Sequence, residues 1–284
     1  MLMDLSIFIT PGTHSTPNEI GLQLGISRSS VRRKIIDDLK FRPLKKIKGQ
    51  KLTDIDCSKR RELAKQLLEV YSEDTMNNAF FSDEKLFKVQ QLYNSKNDVL
   101  YAPADQPKSS VSEERIYCER QGFPKKIMVS VSVSKRGRTP IHFVDLGSSV
   151  TGEYYRIRVL KKMIPQMNRI AGYKPYLFMQ DGARSHTAKD TVEWLNRQNY
   201  LNLLQPQMWP PNSPDLNPVD FFVWAELERR VYKGRKITSI ESLKQAIEEE
   251  WEQFPQELIN KAIDAFPLRL KRCVEAKGRH IETY

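Results

Sequence analysis

The sequence has few cysteines, no long apolar run and no internal repeats, and these shortages exclude several classes of protein. Its three cysteines, Cys57, Cys118 and Cys273, are odd in number and widely spaced. This spacing excludes a disulfide scaffold, predicts no cysteine metal site and indicates a reducing compartment. No stretch approaches the ~18 apolar residues of a membrane span. The apolar residues 1–10 are interrupted by Asp4 and follow no basic region, so we expect no signal peptide.

Positive charge is in excess and is unevenly distributed. The 284 residues carry 46 Lys and Arg against 35 Asp and Glu, a formal net charge of +11. Residues 1–70 alone hold 14 basic and 8 acidic side chains. A basic N-terminal quarter favours a nucleic-acid partner, because neutralising phosphates releases bound counterions. A basic, solvated surface without such a partner is the alternative.

Residues 15–39 have the pattern of two short helices joined by a glycine turn, which is typical of a helix-turn-helix. Thr16 can cap the first helix, with Pro17 at its first position, and Gly25 permits the turn. Candidate DNA-contacting residues lie on the outer face of the second helix: Arg28, Ser29, Arg32 and Arg33. Arginine can pair with guanine edges or clamp phosphates, which suits a helix in the major groove. An ordinary helical hairpin with a charged surface is the alternative.

The basic segment that follows, FRPLKKIKGQKLTD, contains a proline and a glycine and is typical of a linker. Three lysines in it are further candidate DNA contacts: Lys45, Lys46 and Lys48. The segment can lie along a phosphate backbone or act as a nuclear-import signal, and we expect a nuclear protein. A solvated linker is equally consistent with it. Residues 53–72 then show apolar residues at helical spacing and predict a helix.

From residue 78 onward the pattern alternates between strands and helices. The expected strands cover residues 78–89, 97–102, 124–134, 175–181 and 200–206, and residues 136–146 are expected to lead through a turn into a further strand. The expected helices cover residues 152–170, 188–198, 240–252 and 256–273. This order predicts an α/β domain of about 200 residues, a mixed sheet flanked by helices.

Three aspartates occupy informative positions in this α/β pattern. Asp83 interrupts an apolar strand, where an unpaired buried carboxylate is costly. Asp181 ends another strand, and Asp220 falls in the first turn of a helix that Asn217 can cap. If the three side chains converge, they form an all-oxygen site suited to Mg²⁺ or Mn²⁺. Surface aspartates and helix caps without a metal are the alternative.

Five blocks of the sequence resemble mariner-type transposases, which are cut-and-paste DNA transposases with a ribonuclease H-like catalytic domain. In chain order they are LGISRSSVRR (24–33), SDEKLF (82–87), TGEYYRIRVLKKMIP (151–165), QDGARSHTAKDTVEWL (180–195) and WPPNSPDLNPVDFFVW (209–224). The first block resembles the second helix-turn-helix of the family's DNA-binding region. The proline-rich last block is the most specific, and the resemblance covers about residues 15–230.

The resemblance implies a reaction and its participants. Asp83, Asp181 and Asp220 correspond to the family's catalytic, metal-binding residues, with Mg²⁺ or Mn²⁺ as cofactor, expected as two ions. The implied reaction is hydrolysis of double-stranded DNA at the transposon's terminal inverted repeats, followed by attack of the freed 3′-hydroxyl on target DNA at a TA step. A homodimer on DNA is expected, since two ends must be held together, and no membrane is involved. We expect His186 to be a hydrogen-bonded structural residue and not a general base.

The expected organisation is a helix-turn-helix module with a basic linker (1–48), a linker helix (49–76) and a ribonuclease H-like catalytic domain (77–284). The family usually has two helix-turn-helix units, and this sequence has room for one, so we expect a truncated or captured copy. Asp215 is an alternative third acid, but it precedes the helix, which favours Asp220. An inactive or domesticated DNA-binding protein is the alternative function, and a nuclease that nicks without strand transfer is a weaker third interpretation.

Overall fold

The structure, a computed structural model, is divided into a smaller and a larger unit. It describes residues 16–42, 49–89, 102–103, 107–112 and 124–282. Contacts within the chain divide it into Met1–Gly49 and Gln50–Tyr284. Some features predicted from the sequence lie outside the described residues: Lys45, Lys46, Lys48, Cys118 and nearly all of the expected strand 97–102.

The smaller unit contains two helices around a small apolar core. Helix α1 is Pro17–Leu24, and helix α2 is Arg28–Arg33, which continues as a π-helical turn over Lys34–Asp38. Thr16 and Glu19 form a capping box at the start of α1, and Gly25 ends that helix at φ 64°. Ser27 caps α2 by accepting from the Ser30 N–H at 3.1 Å. The predicted helix pair and its caps are therefore confirmed.

The core of the smaller unit is formed by a few aliphatic side chains. Ile20 and Val31 are buried against each other, with Leu24, Ile26 and Ile35 packed around them. A Cβ on Gly21 would lie 2.7 Å from the carbonyl oxygen of Ile26, so the two helices approach too closely for a larger residue there.

In the residues that the structure describes, the larger unit is built from a mixed six-stranded sheet flanked by helices. Its strands are β1 Phe80–Lys88, β2 Lys126–Ser134, β3 Gly137–Arg138, β4 His142–Phe143, β5 Tyr176–Met179 and β6 Leu201–Leu203. Its helices are α3 Asp54–Val70, α4 Glu73–Asn77, α5 Gly152–Tyr154, continued by Tyr155–Leu160 and Lys161–Ile170, α6 Arg184–Thr187, α7 Lys189–Asn196, α8 Val219–Val223, continued by Trp224–Tyr232, α9 Ile240–Glu252 and α10 Gln256–Glu275.

The strand order in the sheet is β3-β2-β1-β5-β6, and β4 also pairs with β2. Strand β1 is antiparallel to β2 and parallel to β5, which is in turn parallel to β6. Because successive residues of a strand face opposite sides, Phe81 and Phe87 join one apolar layer while Phe80 joins the other. The first layer includes α3, α8, α9 and α10, and the second includes α5 and α7.

The predicted elements agree closely with the observed ones over the larger unit. The expected helix 240–252 has the same bounds in the structure, and most of the other expected helices and strands that can be compared differ by a few residues at their ends. The segment 136–146 is the exception, because it forms two separate two-residue strands, β3 and β4. The segment 49–76, interpreted from sequence as a linker helix, contains α3 and α4, and α3 packs along α10 inside the larger unit. In the described part of the chain, no helix is both long and apolar enough to cross a membrane.

Candidate active site

The sheet places Asp83 and Asp181 at the same edge. Strands β1 and β5 run parallel, and Phe81 is paired with Met179. Asp83 and Asp181 each follow two residues further along the chain, and Asp181 lies just past the carboxyl end of β5. Both residues have the parity of the face that carries Phe81. The site therefore lies where β5 ends and β1 continues.

Asp220 reaches the same place from a helix. Asn217 fixes the helix start, because its Oδ1 accepts from the Val219 N–H at 3.0 Å. Its Nδ2 also donates to the Ser82 carbonyl oxygen at 3.2 Å, which ties the loop to β1 beside Asp83. Asp220 follows in the first turn of α8 and lies close enough to Asp83 for each carboxyl group to shift the pKa of the other.

The Asp83 carboxyl group is buried and surrounded by negative charge. It is 8% exposed. Burial, together with the charges of Asp220 and Glu84, raises its pKa far above the ordinary range. Burial and the charge of Asp181 also raise the pKa of Asp220, and the neighbouring Asp83 keeps this second shift smaller. Two carboxyl groups held this close do not both ionise readily.

Trp224 holds one oxygen of Asp83. The indole Nε1 donates to Asp83 Oδ2 at 2.5 Å from the buried face of α8. An indole nitrogen can only donate, so this bond leaves a defined orientation of the carboxyl group. Trp224 also packs edge-on against Phe87 of β1, with ring centroids 6.0 Å apart. The same side chain therefore serves the core and the site.

His186 links Asp181 to a second carboxylate. Its Nδ1 lies 2.7 Å from Asp181 Oδ1, and its Nε2 lies 3.1 Å from Glu84 Oε2 in an ion pair that is not aligned as a hydrogen bond. The imidazole is 1% exposed. Burial opposes its charged form, but the charges of Glu84 and Asp181 outweigh burial and raise the pKa of His186 to about 10. An imidazolium therefore bridges the two acids.

The surroundings of His186 keep that bridge in place. The centroids of the His186 and Tyr155 rings lie 4.4 Å apart. The Tyr155 hydroxyl donates to Gln180 Oε1 at 3.0 Å, and Gln180 Nε2 donates to the His186 carbonyl oxygen at 3.3 Å. Ser130 of β2 donates to Glu84 Oε1 at 2.8 Å. The expectation that His186 is a hydrogen-bonded residue agrees with this network.

The donor set suits a hard divalent cation. Carboxylate oxygens are preferred ligands of Mg²⁺ and Mn²⁺, and a cation would relieve the repulsion that keeps Asp83 protonated. Asp181 Oδ1 is already taken by His186 and by the Ala183 N–H at 3.0 Å, so Oδ2 is the oxygen available to a ligand. Within the described ranges, no three His, Cys, Asp or Glu side chains are gathered around one metal position. The structure brings Asp83 and Asp220 into contact and leaves Asp181 turned toward His186.

Asp215, the alternative third acid, is engaged elsewhere. Its carboxylate forms a two-pronged ion pair with Arg60 of α3, with Nη2 to Oδ2 at 2.7 Å and Nη1 to Oδ1 at 3.0 Å. A carboxylate held in this way by a buried guanidinium cannot also serve Asp83. The structure therefore favours Asp220 as the partner of Asp83.

In the smaller unit, the outer face of α2 carries the predicted DNA contacts. The side chains of Arg28, Ser29, Arg32 and Arg33 are all exposed. Ser29 Oγ lies 2.9 Å from Ser27 Oγ at the helix start. Exposed arginines on the second helix of such a pair are suited to phosphates or base edges, and their binding of DNA stays a prediction.

The sequence pattern does not assign two residues of the site, Glu84 and Trp224, to it. Glu84 was passed over, although it adjoins Asp83 and a second acid in an apolar strand is itself a signal. For Trp224, the sequence pattern indicates only a core position, since an indole at helical spacing is typical of the core. Its bond to Asp83 joins residues 141 positions apart, a separation that no local pattern reports.

Comparison with known families assigns the class of protein. A family model described as DDE superfamily endonuclease matches residues 79–244. The match covers more than half of the chain and includes Asp83, Asp181 and Asp220. The chain belongs to this endonuclease family.

Individual relatives make the assignment narrower. The chain is 33% identical over 105 residues to the transposable element Tcb1 transposase of Caenorhabditis briggsae, covering 37% of this chain and 36% of the relative. It is 25% identical over 275 residues to the human histone-lysine N-methyltransferase SETMAR, covering 94% of this chain and 38% of the relative. The chain thus spans little more than a third of the length of these relatives. The resemblance to mariner-type transposases that the sequence predicted is confirmed.

Solved structures share the fold. A Mos1 transposase paired-end complex with the left transposon end has a TM-score of 0.78 at 21% identity, covering 98% of this chain and 79% of that one. The catalytic domain of Mos1 mariner transposase gives a TM-score of 0.59, covering 83% of this chain and all of that one. Mos1 paired-end complexes with Mn and with Mg have the same fold, each with a TM-score of 0.76. The expected ribonuclease H-like α/β fold is therefore confirmed.

Proposed function

We propose that this protein is a metal-dependent DNA transposase. It hydrolyses phosphodiester bonds at the ends of a transposon and joins the freed 3′-hydroxyl to target DNA. One observation carries the proposal: the buried Asp83 of β1 and Asp220 of α8 are brought together near Asp181, within a chain of the DDE endonuclease family. Such a pair is costly to bury unless a cation or a reaction requires it.

The residues that would hold Mg²⁺ or Mn²⁺, in our proposal two ions, are Asp83, Asp181 and Asp220. Bound divalent ions supply charge stabilisation for the attacking and leaving oxygens of a phosphodiester. The chain contributes orientation: Trp224 fixes one oxygen of Asp83, and His186 fixes one oxygen of Asp181. Asp181 would turn from His186 toward the other two acids when a metal binds, because no three acids surround one metal position among the described residues.

The partner in this proposal is double-stranded DNA carrying terminal inverted repeats, with TA as the target step. The exposed arginines of α2 support DNA binding by their charge and position. A homodimer follows from the need to hold two transposon ends, and access to chromosomal DNA places the proposed site of action in the nucleus. A relative solved as a paired-end complex with a transposon end is consistent with such an assembly.

Cleavage of a supercoiled plasmid tests the proposal. The plasmid carries the inverted repeats that flank the protein's own gene, and nicking is measured on agarose gels with Mg²⁺ or Mn²⁺. We expect the parent to nick the plasmid and Asp83→Asn, Asp181→Asn and Asp220→Asn to lose more than a thousandfold in rate. The exposed Asp190→Asn serves as the matched control and keeps the parent rate.

Three outcomes contradict the transposase proposal. Nicking that survives in all three variants excludes the acid site as its source. Specific binding of the repeats by the parent without any cleavage supports the alternative, an inactive DNA-binding protein. Nicked product without strand transfer into a TA-containing target identifies a nuclease instead.

Binding by the smaller unit is tested separately. Arg32→Ala and Arg33→Ala each remove an exposed charge from α2, and each is expected to weaken DNA binding and reduce the slope against salt by about 1. Gln23→Ala on α1 is the uncharged control. Fluorescence anisotropy with a labelled repeat at several salt concentrations gives both quantities. Unchanged affinity in both arginine variants would show that α2 does not contact the DNA.

A further inference from the structure

Arg60 connects α3 to two distant segments of the chain. Its exposed fraction is 0%. Nε donates to the Gly278 carbonyl oxygen at 2.8 Å, and Nη1 donates to the Asn212 carbonyl oxygen at 2.9 Å and to Ser213 Oγ at 2.5 Å. Nη1 and Nη2 also donate to the two oxygens of Asp215 at 3.0 and 2.7 Å. One guanidinium thus binds three residues of the proline-rich loop, at positions 212, 213 and 215.

The loop held by Arg60 leads directly to Asp220. Leu216 is fully buried, and its N–H donates to the Ser213 carbonyl oxygen at 3.1 Å. Asn217 then binds both Ser82 of β1 and the first turn of α8. The five-residue step from Asp215 to Asp220 is therefore anchored at its beginning by Arg60 and at its middle by the strand that bears Asp83.

A second arginine supports the same loop from α10. Arg269 Nη1 donates to the Asp215 carbonyl oxygen at 2.8 Å, and its guanidinium lies 3.8 Å from the centroid of the Phe221 ring, next to Asp220. Arg269 is partly exposed, whereas Arg60 is enclosed. The enclosed guanidinium sets the geometry more strictly, because its fork matches a carboxylate in one arrangement only.

Stability alone does not account for this arrangement. A buried ion pair costs desolvation of both charges, and apolar side chains of similar volume stabilise a core as well or better. What the pair provides is a unique loop conformation. We propose that Arg60 is a positioning residue for the acid site: through Asp215 it fixes the loop so that Asp220 meets Asp83. This inference rests on the proposed function of that site.

The first test measures the loop in the metal-free full-length protein. Hydrogen–deuterium exchange of residues 212–223 is compared among the parent, Arg60→Lys, Asp215→Asn and the control Arg61→Lys, an exposed neighbour on α3. We expect exchange at least tenfold faster in this segment for Arg60→Lys and Asp215→Asn, with α9 unchanged and the control equal to the parent. Unchanged exchange in the loop, or faster exchange throughout the larger unit, overturns the proposal.

The second test measures metal affinity. The signal of free Mn²⁺ in electron paramagnetic resonance gives its dissociation constant, at a temperature where circular dichroism shows each variant folded. We expect Arg60→Lys and Asp215→Asn to bind Mn²⁺ at least tenfold more weakly than the parent and Arg61→Lys. A folded Arg60→Lys with the parent's affinity overturns the positioning role. If Arg60→Lys does not fold, Ser213→Ala, which removes one of the bonds, decides by the same criteria.

The two proposals fail in different ways. If Asp83→Asn binds Mn²⁺ as the parent does, the acid pair is not the metal site and the proposed function fails. The exchange measurement needs no metal, so in that case it still decides whether Arg60 fixes the loop before Asp220.

Discussion

Asp83 couples protonation to folding. In the metal-free protein, burial and the charges of Asp220 and Glu84 raise the pKa of Asp83, so its carboxyl group keeps a proton that the unfolded chain has released. Folding then takes up a proton at neutral pH. A group with a raised pKa in the folded state stabilises fully below its unfolded value, near 4, and less as the pH rises toward the folded value. The metal-free protein is therefore expected to lose stability from weakly acid to alkaline pH.

Asp83→Asn removes this dependence. The amide oxygen can accept from Trp224 as the carboxyl group does, and the amide has no proton to lose. With metal chelated, we expect the variant to exceed the parent in free energy of unfolding by about 2 kcal/mol at pH 8, and by less at pH 5. Urea denaturation at both pH values measures the difference. A variant that is less stable than the parent at pH 8 contradicts the protonation assigned to Asp83.

His186 is expected to carry both ring protons through neutral pH. Its pKa is raised to about 10 by Glu84 and Asp181, despite burial. In ¹³C-resolved NMR of the metal-free protein, its ring signals are expected to stay constant from pH 5 to pH 8. His142 is the internal control, because burial and the charge of Lys162 lower its pKa and it should titrate below the ordinary value. A titration of His186 near pH 6.5 would restore it as a candidate general base.

At the level of residues, the sequence predicted the three aspartates but not their partners. Asp83 stood out because a charge in an apolar strand needs an explanation, and Asp220 because it follows a proline-rich loop and a cap. Glu84 and Trp224 act through contacts across the sheet and between distant segments. Such contacts depend on the register of β1 and on the packing of α8, which local spacing does not determine.

At the level of elements, α3 and the turn after α10 approach each other closely at Gly278. Gly278 has φ 77°, and a Cβ there would lie 1.8 Å from the Cys57 carbonyl oxygen on α3. The carbonyl of Gly278 also receives the Arg60 Nε–H. A side chain at this position must therefore separate α3 from α10.

Gly278→Ala is expected to destabilise the protein by about 3 kcal/mol, from backbone strain and overpacking together. Gly234→Ala is the matched control: Gly234 also has a positive φ of 68°, but nothing lies within 4 Å of its added Cβ. The control should cost only the strain, about 1 kcal/mol. Thermal unfolding by circular dichroism compares the two. Equal losses would mean that α3 yields to the new methyl group.

The helices and longer strands were predictable because their apolar spacing and caps lie within single segments. The interpretation of residues 49–76 as a linker helix shows the limit of such local patterns: they indicate a helix but not what it packs against. Arg60 and Arg61 are identical neighbours in sequence, but Arg60 finds Asp215 at a separation of 155 residues and becomes buried. Only the packing of α3 on α10 distinguishes them, so the sequence could not show that α3 belongs to the larger unit.

At the level of the whole molecule, the boundary between the units lies before α3. A chain of residues 50–284 keeps every element of the larger unit, whereas a chain of residues 72–284 loses α3 and with it Arg60. We expect the first to unfold cooperatively near the parent's temperature and to lose the specific, salt-sensitive DNA binding. We expect the second not to fold, because it exposes the apolar face of α10. Calorimetry of both fragments tests the boundary, and similar transitions in the two would place it after α3.

The alternation of Asp83 and Glu84 across β1 has a consequence for length changes in this strand. The strand is paired with β2 along eight successive positions, and its two acids serve opposite layers. Deleting one residue upstream, between Phe80 and Ser82, would exchange the two acids between layers. The indole of Trp224 would then face Glu84 in place of Asp83, and the imidazole of His186 would lose its contact with Glu84. Insertions or deletions of a single residue in this part of β1 should therefore be far rarer in functional copies than amino-acid replacements, because each one shifts every following side chain of the strand to the opposite face.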